Sequence, residues 1–354
     1  MNTDNSVYER LARVLDTLPN GFPRTDSGVE IRLLKKIFEP GEAELFCDLR
    51  LAFETAEQIA ERTGRPLDGL LDRLIRMGQH GQIWALQFGD TWYFKMLPWV
   101  FGIFEFQLGR IDREMAELSE EYGPAYARQF FADKPQLMHV LPVEETITPS
   151  QEALPYERVS ALIEKSQSFM VNECICKKEQ GLMDNPCTKS THVCLAVAPL
   201  PGVFDRAPFG QVVSRAEAQA LMKKCEEEGL VHLTGNIRDG HFFICNCCGC
   251  CCGVLRSINE LGVPAAQAVN SHYYAVIDPD SCTACGICAE ERCQVGAISA
   301  ADGTYAVVRE RCIGCGLCVS TCPSQAVTLV RKDKISMPAE NEAARKKAVI
   351  ELCL

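Results

Sequence analysis

A chain of 354 residues with 47% hydrophobic, 23% charged and 8% aromatic residues has room for two or three domains, each with its own core. Its net charge of −11 disfavours nonspecific attraction to nucleic acid or an anionic membrane surface, and suits docking to a basic patch on a partner. Cysteine is the outlier: 21 residues, in a chain far larger than the secreted domains that disulfides hold together, so the thiols are expected to bind metal.

The start carries acidic residues and no apolar signal region, and no stretch approaches the ~18 apolar residues of a membrane span. The nearest, residues 92–106, is broken by Lys95, Pro98 and Glu105. No transmembrane segment is expected, and a cytoplasmic location, where thiols stay reduced, is the expectation that follows.

Residues 1–140 contain one cysteine, Cys47, and read mainly as helix. Helical spacing of apolar residues covers 31–38, a second helix follows at 42–51, and Thr55 caps a short helix that stops at Gly64. Residues 66–77 begin with proline in the first turn and carry Leu70, Leu71, Leu74 and Ile75 on one face. Two strands, 83–88 and 91–94, then turn at Gly89-Asp90. Three helices followed by a hairpin resemble the winged helix-turn-helix family. DNA binding, which that resemblance implies, lacks its chemistry here. The presumed recognition helix balances Asp68 and Asp72 against Arg73 and Arg76, the hairpin turn offers Asp90, and the next helix is acidic at Asp112, Glu114, Glu117, Glu120 and Glu121. A protein-docking module is the favoured reading, with nucleic acid not expected as a partner. Trp92, Trp99, Phe101, Phe104 and Phe106 are expected in the core.

Residues 141–155 hold three prolines and read as a linker to a cysteine-rich domain over 141–271. There the pattern is α/β: a helix over 156–165, a strand at 169–171 leading into Cys174 and Cys176, a loop to Cys187 and Cys194, a helix over 214–228, and strands at 230–233 and 241–244. The last strand runs into Cys245, Cys247, Cys248, Cys250, Cys251 and Cys252. Residues 272–334 then repeat internally: a strand at Tyr274 and again at Tyr305 precedes each cysteine run, and an apolar strand follows each. Residues 335–354 read as a C-terminal helix.

The two runs of the repeat are Cys282, Cys285, Cys288 and Cys293, then Cys312, Cys315, Cys318 and Cys322, followed by Pro323. A thiolate every third residue wraps a loop around one face of an iron–sulfur cubane, whereas zinc ribbons use paired CxxC units. This segment resembles the two-[4Fe–4S] bacterial ferredoxins over roughly sixty residues. The crossed ligation of that family implies one cluster on Cys282, Cys285, Cys288 and Cys322, and a second on Cys312, Cys315, Cys318 and Cys293. One departure stands out: four residues, not three, separate Cys288 from Cys293, and Gln294 replaces the usual proline. Gly286, Gly314 and Gly316 are expected to let the backbone approach sulfur.

The middle domain offers ten candidate ligands: Cys174, Cys176, Cys187, Cys194, Cys245, Cys247, Cys248, Cys250, Cys251 and Cys252. Cys225, within a helix, is expected to be a structural thiol. In an extended strand Cys245, Cys247 and Cys251 would face one way and Cys248, Cys250 and Cys252 the other, with Gly249 and Gly253 permitting turns. One or two further [4Fe–4S] clusters, completed by the Cys174/Cys176 and Cys187/Cys194 groups, are the leading expectation. Structural zinc, a single cluster with redox-active spare thiols, and a non-cubane cluster of the kind bound by Cys-Cys-Gly motifs stay open beside it. His192 and His241 could each replace a thiolate but read better as surface or supporting residues. As a whole this domain resembles the uncharacterised iron–sulfur domains joined to dicluster ferredoxins in anaerobes.

The sequence has no dinucleotide fingerprint after a strand, no Walker-type loop and no nucleophile elbow, so a flavin or nucleotide is expected on a partner. The expected fold is multidomain α+β, with winged-helix, cysteine-rich and dicluster ferredoxin domains. The expected function is electron transfer, as a ferredoxin-like subunit or accessory protein of an anaerobic oxidoreductase system whose redox partner carries the flavin. Whether the chain is itself an enzyme stays open. A redox-sensing transcription regulator and a reductase with its centre at Cys245–Cys252 are the alternatives.

Overall fold

Capping chemistry sets the first helices, as the computed structural model shows for residues 3–352 apart from 19, 133, 149, 150, 152 and 208. Thr55 accepts the Gln58 amide N–H while the Gln58 side chain accepts from Thr55 N–H, and the helix Ala56–Thr63 ends at Gly64 in the left-handed region, φ 71°. The next helix spans Leu70–Gln79 and not 66–77, because left-handed Gly69 (φ 68°) precedes it and Pro66 lies in the irregular stretch before the turn. The helix expected over 42–51 is likewise shorter, Pro40–Phe46, with Pro40 in its first turn.

Two units divide the chain, Met1–Phe130 with Lys178–Pro186, and Phe131–Lys177 with Cys187–Leu354. In the first, helices Thr3–Asp16, Val29–Ile37, Pro40–Phe46, Ala56–Thr63 and Leu70–Gln79 are followed by the hairpin β1 (Ile83–Phe88) and β2 (Thr91–Met96), paired antiparallel with Phe88 opposite Thr91. The two-residue Gly89-Asp90 loop suits the twist of the strands because Gly89 takes φ 60°. The helix Arg113–Phe130 packs Tyr122 against Phe22, with ring centroids 5.1 Å apart, and Phe22 meets Trp99 at 5.2 Å. Trp99 is core, whereas Trp92, Phe101, Phe104 and Phe106 are only half-buried.

The second unit is organised by a seven-stranded sheet: β3 (Met138–Leu141), β4 (Ser168–Glu173), β5 (His192–Ala198), β6 (Gln211–Val213), β7 (Val231–Gly235), β8 (Phe243–Cys247) and β9 (Val269–Asn270), in the order β6-β4-β5-β8-β7-β3-β9. Every pairing is antiparallel except β3 with β9. Leu162, Phe169, Leu195, Val197, Met222 and Ile244 form the core between this sheet and the helices Val159–Lys165 and Arg215–Glu227. Burying six such side chains contributes about 1.5–3 kcal/mol each. Two expectations are corrected here. Cys194 lies within β5 and not in a loop, and the supposed linker begins with Leu141 in β3, buried in the sheet core. The described part of residues 141–155 packs down as well: Val143 N–H donates to the Cys315 carbonyl at 2.9 Å, and Val143 and Thr146 are buried.

The same unit contains two further antiparallel pairs, β10 (Tyr273–Ile277) with β13 (Val327–Arg331) and β11 (Ile298–Ala301) with β12 (Thr304–Val307). The cysteine loops lie between these strands, and the chain closes with the helix Glu342–Leu352. Among the described residues no helix is long and apolar enough to cross a membrane.

Candidate metal centres

The four strands of the C-terminal pairs hold the two cysteine runs against one small apolar core, where Ala275, Ile298 and Val327 pack among Cys288 and Cys318. Cys282, Cys285, Cys288 and Cys322 line one cavity with Ile277 and Pro323. The structure therefore brings the first three cysteines of one run to the last cysteine of the other. On the second side, Cys293 is an electrostatic neighbour of Cys312, Cys315 and Cys318, raising each thiol's pKa. Cys318 also feels Cys288 of the first group.

These pockets suit a group that takes thiolates. Burial pushes the Cys315 thiol up to about 12 and raises Cys318 well above its ordinary value, so without metal both would hold their protons. Metal binding replaces those protons. Cys322 goes the other way: burial raises its pKa, but the Ser324 hydroxyl and the amides of Val327, Ala326 and Ser324 more than offset it. Backbone donors already point at sulfur, with Ala297 N–H 3.1 Å from Cys293 Sγ and Ala275 N–H 3.4 Å from Cys312 Sγ. At Gly314, φ 64°, a Cβ would lie 2.1 Å from the Tyr273 carbonyl oxygen, so this loop can pass β10 only with glycine.

Two cations that the sequence reading missed accompany the second group. Arg292 is buried, with Nη2 donating to the Glu226 carbonyl at 2.6 Å, Nη1 to Glu227 at 2.9 Å and Nε to Leu317 at 3.3 Å. Burial lowers its pKa, while Cys315, Glu291 and Cys318, when ionised, favour its charged form. Burial likewise lowers Lys332, which Cys312 stabilises as a cation. Arg292 adjoins Cys293 in sequence, and that adjacency was the available signal.

Between residues 174 and 252 the ten candidates divide four and six. Cys187, Cys248, Cys250 and Cys251 have sulfurs all within 4.8 Å of one another. The other six fall in two sets: Cys174 bonds Cys176, while Cys245 bonds Cys194 and Cys247, and Cys247 bonds Cys252; Cys174 meets the second set only as an electrostatic neighbour of Cys245. Sheet register explains the Cys194–Cys245 meeting, since Leu195 opposes Ile244 on antiparallel β5 and β8. The grouping differs from the expected pairing of Cys187 with Cys194. It also differs from strict alternation, because β8 ends at Cys247 and the turn beyond it sends Cys251 with Cys248 and returns Cys252 to Cys247.

Alternation does hold within β8. Asn246 points away from its flanking cysteines, donates to the Val193 carbonyl at 2.6 Å and bonds the buried His232 ring. This anchors the cysteine strand to both neighbouring strands, a role that only the sheet order reveals. Shared protons split the thiol acidities. Thiol donation from Cys194 and Cys247 lowers Cys245, and donation from Cys251 lowers Cys248 to about 5, whereas burial leads in raising Cys250 to about 12. Cys225 packs under this region against Val193, Leu230, Cys248 and Cys251, and burial raises it to about 12, as suits a structural thiol. His192 is exposed beside Thr191, and His241 bonds Thr234 at 3.0 Å; neither enters the thiol groups.

Comparison with known proteins gives these groups a context. A family model described as a 4Fe-4S dicluster domain matches residues 274–341. An uncharacterized ferredoxin of Methanocaldococcus jannaschii is 32% identical over 117 residues, which are 32% of this chain and 66% of that protein. An iron-sulfur protein of Rhodospirillum rubrum is 39% identical over 61 residues, 17% of this chain and 30% of that protein. The chain thus spans less than two thirds of the length of either relative. Its C-terminal segment is a 4Fe–4S dicluster domain of the ferredoxin type, with sequence similarity to ferredoxins.

Proposed function

We propose that this chain carries electrons, as a ferredoxin-like subunit or accessory protein of an anaerobic oxidoreductase system. The observation that carries the reading is the crossed meeting of the two runs in the dicluster domain, Cys322 with Cys282, Cys285 and Cys288, and Cys293 with Cys312, Cys315 and Cys318. A [4Fe–4S] cluster on each set would supply reversible one-electron chemistry. The chain's own part is to fix the thiolates, aim amides at sulfur and place Arg292 and Lys332 beside the second set.

One further cluster is held by four of the six thiols Cys174, Cys176, Cys194, Cys245, Cys247 and Cys252. The N-terminal unit is read as a winged helix that docks a redox partner, one carrying the flavin for which this chain has no motif. Exposed Leu67 just before the helix Leu70–Gln79, Leu71 on that helix and Phe88 on the hairpin support protein docking over DNA binding, which the acidic charge balance disfavours. A second reading, a reductase centre at Cys245–Cys252, draws on the two thiols that a four-ligand cluster would leave spare.

The test is an EPR-monitored redox titration of the anaerobically purified full chain, with iron and sulfide counted on the same sample. The reading expects reversible low-potential iron–sulfur signals and about twelve sulfides per chain, four per cubane. Absence of any reversible low-potential signal would overturn it. Substrate-dependent reoxidation of the isolated chain would instead favour the reductase.

A further inference from the structure

We infer that Cys187, Cys248, Cys250 and Cys251 form a tetrathiolate site for a single four-coordinate metal ion, zinc or iron, and not for an iron–sulfur cluster. The distinction is geometric. A metal–sulfur bond of about 2.3 Å in a tetrahedron places the four sulfurs about 3.8 Å apart. A cubane carries each thiolate on a different iron, which spreads the sulfurs to about 6 Å. Here Cys187 Sγ lies 3.7 Å from Cys248 Sγ and 3.8 Å from Cys250 Sγ, and Cys250 Sγ lies 3.5 Å from Cys251 Sγ. All four fall within 4.8 Å of one another. Among the described residues no three of the eight ferredoxin-run cysteines, and no three of the other six middle-domain thiols, gather so closely.

The surroundings fit a closed site. Cys248 and Cys251 are buried over Val193, Leu230 and Cys225, Cys187 is half-buried, and Cys250 lies at the surface. The turn that gathers three of the ligands depends on Gly249, where a Cβ would lie 2.3 Å from the Gln294 carbonyl oxygen. Thiolate ligands select soft or borderline ions, so zinc and iron share the required chemistry. On binding, the four thiols release their protons and the sulfurs bond one M²⁺ with no change of oxidation state and no inorganic sulfide.

The experiment counts metal and acid-labile sulfide on anaerobically purified full-length protein and on the variants Cys250→Ala, Cys187→Ala and Cys225→Ala. The expected result is loss of one metal equivalent in the first two with sulfide unchanged, and no loss in Cys225→Ala. If the ion is zinc, X-ray absorption at its edge reads four sulfurs at about 2.3 Å in the unmodified chain. If it is iron, the unmodified chain holds one iron beyond its sulfide and gives a high-spin ferric EPR signal on mild oxidation. Loss of about four irons together with four sulfides in Cys250→Ala would overturn the inference, and so would loss of no metal at all. Should that variant fail to fold, the absorption or EPR measurement on the unmodified chain decides. The count separates from the redox titration above, since a single-ion site can fail while the ferredoxin signals persist, and the converse.

Discussion

Gly249 donates its backbone N–H to the side-chain oxygen of Gln294 at 2.9 Å, while Asn259 donates to the Gln294 carbonyl at 3.0 Å. Gln294 stands where two-cluster ferredoxins carry proline, and Gly249 sits inside the middle cysteine block. The departure from the ferredoxin pattern is thus a joint between the two cysteine regions. Gln294→Ala should cost about 1 kcal/mol, the worth of one hydrogen bond. Gly249→Ala drives a methyl group into a backbone carbonyl and should cost about 2–3 kcal/mol. Anaerobic denaturant unfolding of both variants checks the order; equal stabilities would mean that the joint yields freely.

Arg292 places a buried positive charge beside Cys315 and Cys318. A cation stabilises the reduced, more negative state of a nearby cluster. Arg292→Met keeps the volume and removes the charge, so it should lower the potential of the second cluster by on the order of 50 mV, leaving the first nearly unmoved. The EPR titration of the variant reads both at once. An equal shift of both signals would show that the charge acts through general structure.

The proposed crossed ligation makes a sharp prediction for Cys293→Ala. The cluster lost should be the one in the second run, with about four irons and four sulfides gone per chain. Cys322→Ala should remove the cluster of the first run instead, leaving the signal that Cys293→Ala abolishes. Loss of the same signal in both variants would contradict the assignment.

These contacts mark where the sequence was legible. Ligands three residues apart share one loop, so the ferredoxin cysteines could be read from spacing alone. Cys187 and Cys248 are 61 residues apart and meet only through tertiary structure; neither spacing nor strand alternation anticipates that meeting, because the turn at Gly249 follows β8 directly. Leu141 failed as a linker residue for a related reason. Prolines at 142 and 155 signalled a break, yet β3 needs only four residues to join the sheet between β7 and β9. Helix ends went wrong where a left-handed glycine outweighed proline, as at Gly69.

Burial lowers His139 to about 3, with His272 adding to the shift, and lowers His241 to about 4. The folded values lie below the ordinary 6.5, so between the two the unfolded chain binds protons that the folded chain refuses. Stability should therefore be full above about pH 6.5 and fall as pH drops below it, by up to about 1.4 kcal/mol per pH unit for each histidine. His139→Phe should remove one share of that slope. Comparing variant and parent between about pH 5 and 7.5 under anaerobic denaturant unfolding cancels the acid lability of clusters common to both. Parallel curves would show that His139 is protonated in the fold.

The proposed docking role of the N-terminal unit rests on exposed apolar groups, and it can be tested without disturbing the metal centres. Phe88, 69% exposed beside the hairpin turn, and Leu71, 38% exposed on the helix Leu70–Gln79, support no core contact whose loss would unfold the unit. Phe88→Glu and Leu71→Glu should therefore leave iron, sulfide, potentials and unfolding midpoint unchanged. Each desolvated anchor of this size is worth about 1–2 kcal/mol at an interface, so the double variant should slow reduction by the partner at least about tenfold at limiting concentration. Stopped-flow reduction of the full chain, with the native partner against a small-molecule reductant, separates docking from intrinsic electron transfer. Only the partner reaction should slow; equal slowing of both would move the effect from the docking face to the clusters themselves.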